Sequence, residues 1–284
     1  VCKMFLHPRG VSRGLACAAG AIAVGIASVA TDSDCALSSA PSAGGGLQGK
    51  KALVFGGTSG IGLAAAILLK SRGADVVAIS RNPEKAKAEA SQHGIALAAC
   101  DVRDRDTLEA LMKEHKPIDI IVGASTGGKR ALGPFLTMDM EAYQASFDKL
   151  WGYSNIVRFG APLMPYDGCI VLISGAPARK AKSGQVSLAS VGAAVEQLAR
   201  TLAPELSPRR INVVSPGIIA TPMFGDMTDA CAKRLAHATS NNLIPRPGQA
   251  EEVAAAIMFL VENTFVTGTT IDVDGGWLAG PKWD

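Results

Sequence analysis

Aromatic residues and histidines are scarce in this 284-residue chain: 5% are Phe, Trp or Tyr, and four are His. Only Tyr143, Tyr153 and Tyr166 offer a phenol for acid–base work. There is no HExxH pair and no Cys/His cluster at ligand spacing, so no metal centre is expected. No GxSxG elbow follows an apolar run, which argues against a nucleophilic-serine hydrolase of that type. The six cysteines include no CxxC pair, and Cys100 and Cys169 sit at the ends of apolar runs, as buried small hydrophobes do. Neither charge sign dominates. Charged residues are 19% and the net charge is +3, whereas nucleic-acid binding needs clustered Lys and Arg. What is abundant is apolar surface, 48% of residues, enough for one α/β domain and its core but crowded for two.

Residues 1–47 differ in composition from the rest. Lys3, Arg9 and Arg13 precede an uncharged Ala/Gly/Val/Ile run over residues 15–30, and a Ser/Ala/Pro/Gly linker follows over 38–46. A basic flank before a short apolar run is the grammar of a targeting segment, for an organelle such as a mitochondrion or plastid or for export. Two other expectations compete with it: a retained arm that docks on a membrane or another subunit through residues 15–30, and a disordered tail on a cytoplasmic protein. The run is near the lower limit for a membrane span. Residues 48–284 form the second unit.

That unit opens on Ala52-Leu53-Val54-Phe55-Gly56-Gly57-Thr58-Ser59-Gly60-Ile61-Gly62. An apolar strand ends in glycines and restarts as an Ala/Leu-rich helix over 61–71. The first glycine permits a tight turn, the second lets backbone N–H groups approach a pyrophosphate, and the third lets helix pack on sheet. The helix N-terminus adds its partial positive charge. Strands follow at 75–80, 95–100, 118–122, 168–174, 210–214 and 270–273. Helical segments are expected at 103–116, 140–164, 185–206, 223–242 (after a loop) and 251–261. Alternation of this kind predicts a single doubly wound α/β domain of Rossmann type with a parallel sheet. At the end of the second strand, where a ribose 2′-hydroxyl would meet an acid, the chain has Ser80, Arg81 and Asn82. An arginine suits a 2′-phosphate, so NADP(H) is expected over NAD(H).

Gly56, Gly60 and Gly62, Asp101-Val102 after the third strand, and Asp119-Ile120-Ile121-Val122 as the fourth resemble the short-chain dehydrogenase/reductase family. The resemblance runs from Lys51 to Trp277 and is specific at 209–222 and 267–276. It implies a dinucleotide held by Gly56, Thr58, Ser59, Gly60, Ile61, Gly62, Ser80 and Arg81. It places Asp101 and Val102 beside the adenine, and Pro216, Gly217, Ile218, Ile219 and Thr221 beside the nicotinamide. It departs at Phe55, where the family usually has Thr, and at Gly123-Ala124-Ser125-Thr126, where it usually has Asn-Asn-Ala-Gly. The family also commonly pairs subunits through the helix expected at 185–206, whose Ala189, Ala193, Ala194 and Ala199 allow close approach, so a homo-oligomer or a place in a larger complex is expected.

The family's reaction uses a tyrosine general acid four residues before a lysine, whose ammonium lowers the phenol pKa. A serine thirteen residues before the tyrosine and an asparagine on the preceding helix complete the set. Aligned through Ala193-Ala194-Val195-Glu196, these positions read Leu188, Gly192, Gly175 and Lys149. No tyrosine in the chain has a lysine four residues later. Lys149 and Ser174 are the remaining candidates for proton chemistry. Arg179-Lys180-Ala181-Lys182 reads as an exposed basic loop or as an anion-binding lip. His237, on the segment covering the expected substrate site, reads as solvated. Two functions stay open: an NADP(H)-dependent oxidoreductase with an atypical active site, and a non-catalytic scaffold of the same fold.

Overall fold

The computed structural model describes residues 46–126 and 130–280. The arm, with its targeting, docking and membrane readings, lies outside the described residues, apart from its last positions. Among these, Leu47 donates its N–H to Arg72 O and packs against the core. No helix among the described residues is long and apolar enough to cross a membrane.

Seven strands form one parallel sheet: β1 Lys51–Phe55, β2 Asp75–Ser80, β3 Ala96–Ala99, β4 Ile120–Gly123, β5 Cys169–Ile173, β6 Arg210–Pro216 and β7 Thr270–Val273. Their order is β3-β2-β1-β4-β5-β6-β7, and every pair is parallel. The helices are α1 Gly60–Ser71, α2 Lys87–Gln92, α3 Arg105–Glu114, α4 Met140–Ser146, α5 Asp148–Gly160, α6 Val186–Leu206, α7 Asp229–Thr239 and α8 Ala250–Glu262. The period of two along each strand builds two apolar layers. Ala52, Val54, Val76, Ala78, Val122 and Val171 face α1 and α8. Leu53, Phe55, Val77, Ile121, Leu172 and Val213 face α3, α5 and α6. This is the doubly wound domain expected from the alternation. The order reverses between β1 and β4, which opens a crevice at the carboxyl ends of the strands.

Cys100 and Cys169 are buried, and burial pushes both thiols up to about 11. The helix expected over 140–164 is instead two helices. Phe147 N–H reaches back to Gln144 O in a 3₁₀ step, and the Ser146 hydroxyl donates to Ala142 O, so the ladder is interrupted between α4 and α5. The second helix closes in a 3₁₀ turn containing Pro162. Gly152 of α5 lets that helix lie close on the loop after β3, since a Cβ there would meet Val102 Cγ2 at 2.5 Å. On α6, Ala199 turns into the core while Ala193 is exposed.

Arg210 is buried at the start of β6 and caps the end of α8. Its guanidinium donates to Leu260 O at 2.6 Å, Val261 O at 2.8 Å and Val266 O at 3.2 Å. Arg210→Met keeps much of the volume but leaves buried carbonyls unpaired. It should lower unfolding stability by about 2–4 kcal/mol in urea titrations.

Candidate functional site

One cleft of about 850 Å³ runs along the carboxyl edge of the sheet. All the expected cofactor residues line it. Gly56, Thr58, Ser59, Gly60, Ile61 and Gly62 come from the β1–α1 turn, Ser80 and Arg81 from the end of β2, Asp101 and Val102 from the segment after β3, and Pro216, Gly217, Ile218, Ile219 and Thr221 from the end of β6.

The glycine turn fits a pyrophosphate by what it leaves out. Gly56 has φ +79°, and a Cβ there would lie 2.6 Å from Ser125 N. A Cβ on Gly62 would lie 2.1 Å from Gly56 O. Above this turn α1 begins with no side-chain cap and no acid in its first turn, so its N–H groups and dipole face the cleft uncompensated. At the adenosine end the Ser80 hydroxyl is buried without a partner. Arg81 is exposed and forms no ion pair among the described residues. Asp101 is held by Arg103, which also reaches Asp148 at 2.7 Å. The Arg103 hydrogen bond holds the Asp101 carboxyl below its usual range. Val102 O accepts from Asn155 Nδ2 at 3.0 Å. The loop after β6 is pinned where Ala220 N–H donates to Gly248 O at 2.8 Å and Gly248 N–H to Ile218 O at 2.9 Å.

The other half of the cleft brings together the four positions aligned with the family's reaction set. Gly175, Leu188 and Gly192 line it beside Lys149. A side chain at Gly175 would find its nearest neighbour, Pro177 Cδ, at 3.7 Å. At Gly192 it would begin 3.0 Å from Ala178 Cβ, so α6 lies close on the turn after β5 at this point. Lys149 is only partly exposed at the head of α5. Its ammonium donates to Ser174 O at 3.1 Å and lies 5.6 Å from the ring centre of Tyr153, one helical turn on. Burial, then the charge of Arg130, depresses its pKa to about 8. Tyr153 is fully buried, and burial raises its pKa strongly, opposed in part by a contact of the hydroxyl with the Ile173 backbone.

Ser174 stands at the same place with its hydroxyl turned elsewhere. It donates to the buried Glu196 Oε1 at 2.9 Å, and the partly exposed Arg179 bridges Glu196 and Asp272. The two candidates are therefore joined through the Ser174 carbonyl, not through its hydroxyl. The basic loop does not act as a cluster. Arg179 is committed to those carboxylates, and Lys180 donates to Trp277 O and lies over its ring. Only Lys182 of that loop lines the cleft. His237 is exposed, as its position on the covering segment predicts. Sequence reasoning passed over Arg130, Tyr153 and Gln185, which line the same half. Tyr153 alone carried a signal, the spacing of four from Lys149 on one helix face.

Fold and cleft together define a dinucleotide-binding oxidoreductase domain of the doubly wound class. A family model described as enoyl-(acyl carrier protein) reductase matches residues 56–278. L-xylulose reductase of Mus musculus is 31% identical over 244 residues, 82% of this chain and 98% of that protein. The 3-oxoacyl-(acyl-carrier-protein) reductase of Thermotoga maritima is 32% identical over 248 residues, 81% of this chain and 98% of that protein. Among solved structures, BdcA in complex with NADPH superposes with a TM-score of 0.71 at 29% identity, covering 81% of this chain and 94% of its own. A small-chain dehydrogenase in complex with NADPH gives 0.69 at 27%, covering 81% and 99%. The chain belongs to the short-chain dehydrogenase/reductase family.

The lowered pKa of Lys149 has a consequence for stability that needs no substrate. The unfolded chain keeps its lysine proton up to about 10.5, and the folded chain releases it near 8. Between those values the unfolded state binds more protons, so stability rises with pH relative to a Lys149→Met variant. Urea unfolding of both proteins at pH 7, 8, 9 and 10 should show the wild type gaining on the variant. Parallel curves would mean that the ammonium is well solvated.

Proposed function

We propose that the chain is an NADP(H)-dependent oxidoreductase that reduces a carbonyl compound with a proton from Lys149 in place of the family's tyrosine. The observation that carries this reading is the half-buried ammonium of Lys149. It faces the cleft beside Gly175, Leu188 and Gly192, where the usual proton donors are replaced. When bound, the nicotinamide supplies the hydride to the carbonyl carbon. Lys149 Nζ gives its proton to the carbonyl oxygen as the C=O π bond becomes a C–O–H, and the neutral amine takes a proton back from solvent. Ser174 O holds the ammonium in place, and burial brings its pKa near working pH, where acid–base transfer is most effective. The preference for NADP(H) rests on Arg81 and on the unpartnered hydroxyl of Ser80 at the ribose end.

The second reading is a cofactor-holding scaffold, favoured by the close fit of α6 at Gly192, where even a Cβ would lie 3.0 Å from Ala178 Cβ. A panel of aldehydes, ketones and enones with NADPH separates the two. Turnover that falls about 100-fold or more in Lys149→Met, with NADPH affinity within about twofold of wild type, supports the reductase. Its reduction rate should fall as pH rises through about 8, because the ammonium is the donor, and Lys149→Arg should not restore it. Tight NADPH binding with no turnover on any member supports the scaffold.

Cofactor choice is read separately by fluorescence titration. Arg81→Ala should weaken NADPH by about 10-fold or more and leave NADH nearly unchanged. Equal losses for the two would remove the 2′-phosphate assignment.

A further inference from the structure

The cleft is electrostatically lopsided. Its two wall carboxylates, Asp101 and Asp148, lie at the adenosine side and are both bound by Arg103. In the other half the lining side chains include Arg130, Lys149 and Lys182, and no Asp or Glu. None of these three forms an ion pair among the described residues. Arg130 is also held in position. The next residue, Ala131, is buried between α4 and α6, its N–H donating to Ser146 Oγ at 3.1 Å and its carbonyl accepting from Ser187 Oγ. The exposed Arg130 side chain leaves the chain next to this fixed backbone and lines the cleft. Arg130 is close enough to the Lys149 ammonium for the two charges to repel. Two cations line a space in which Gln185 Oε1 is buried without a hydrogen-bond partner among the described residues.

We propose that the substrate is an anionic carbonyl compound whose carboxylate or phosphate is bound by Arg130, with its carbonyl directed toward Lys149. The proposal rests on the reductase reading for the carbonyl and, for the anion, on the Arg130 guanidinium that lines the cleft without an ion pair among the described residues. A planar fork of N–H donors matches either oxyanion with two parallel bonds. The bound charge would also relieve the repulsion between Arg130 and Lys149, keeping Lys149 protonated as the carbonyl arrives. Arg130 is then a specificity residue, separate from the proton donor.

Two ligand pairs that differ in charge test this with the full chain and NADPH at pH 7. One pair is acetoacetate and methyl acetoacetate; the other is dihydroxyacetone phosphate and dihydroxyacetone. Isothermal titration should show at least one anion bound about tenfold or more tighter than its neutral partner, and the stronger arm identifies carboxylate or phosphate as the group. Arg130→Met should bring that ratio to within about twofold, and Arg130→Lys should keep part of it. Thermal unfolding of each variant near the wild-type temperature confirms that the exposed substitution leaves the fold intact. Ratios near one for both pairs in the wild type, or a preference that survives Arg130→Met, would overturn the proposal. NADPH oxidation is followed in parallel. Arg130-dependent anion binding without turnover keeps the anion site and removes the reductase reading. Reduction of the neutral partners as efficiently as the anions keeps the reductase and removes the anion site.

Discussion

A Cβ on Gly62 would lie 2.1 Å from the carbonyl oxygen of Gly56, and one on Gly56 would strike the backbone of Ser125 at 2.6 Å. With hydrogens at both places, α1 can rise directly from the turn after β1, and the segment after β4 can pass beside it. The rest of the cleft depends on that close approach. It aims the uncapped start of α1 at the point where strand order reverses, and it brings the ends of β1 and β4 into one wall. Any larger side chain would separate helix from sheet, and the phosphate-sized space would open to water.

The second organising feature is the division of labour at Ser174. Its carbonyl accepts from Lys149, facing the cleft, and its hydroxyl donates to Glu196, facing the network with Arg179 and Asp272. A buried carboxylate needs that company, because an unpaired charge away from water costs several kcal/mol, about 3–5 when a partner is removed. The carboxylate of Glu196 is thereby paired with Ser174 and Arg179, while Lys149 lines the cleft without an ion pair among the described residues. Fold membership in a reductase family does not by itself assign chemistry to such a site, since function resides in the side chains grafted on the fold. Here the side chains that line that half of the cleft include Lys149 and Arg130.

Much of the architecture was legible in the chain. Runs such as Val76–Ile79 and Ile170–Leu172 are apolar on both faces, as strands buried between two helical layers must be. The glycine spacing located the turn, and the helices 61–71 and 185–206 end within a residue of α1 and α6. The break at Phe147 was not legible. Apolar periodicity continues across it, and the interruption comes from hydrogen bonds of Ser146, including one from Ala131 N–H, fifteen residues away in the chain. Arg130 was passed over for the same kind of reason. Its place at the cleft follows from the pinning of Ala131 by α4 and α6, not from any local pattern.

Residue identities alone determined that the chain is a doubly wound α/β domain with a glycine turn for a dinucleotide, because backbone geometry and burial period are local properties. They also determined that Leu188, Gly192 and Gly175 carry no tyrosine, lysine or serine. Tertiary structure decided what stands there instead. It buried the Lys149 ammonium against Ser174 O, turned the Ser174 hydroxyl to Glu196, drew Arg179 and Lys180 away from the cleft, and left Arg130 facing it. Charge balance in a cleft depends on which distant side chains pair with one another, and pairing is settled only when the layers pack.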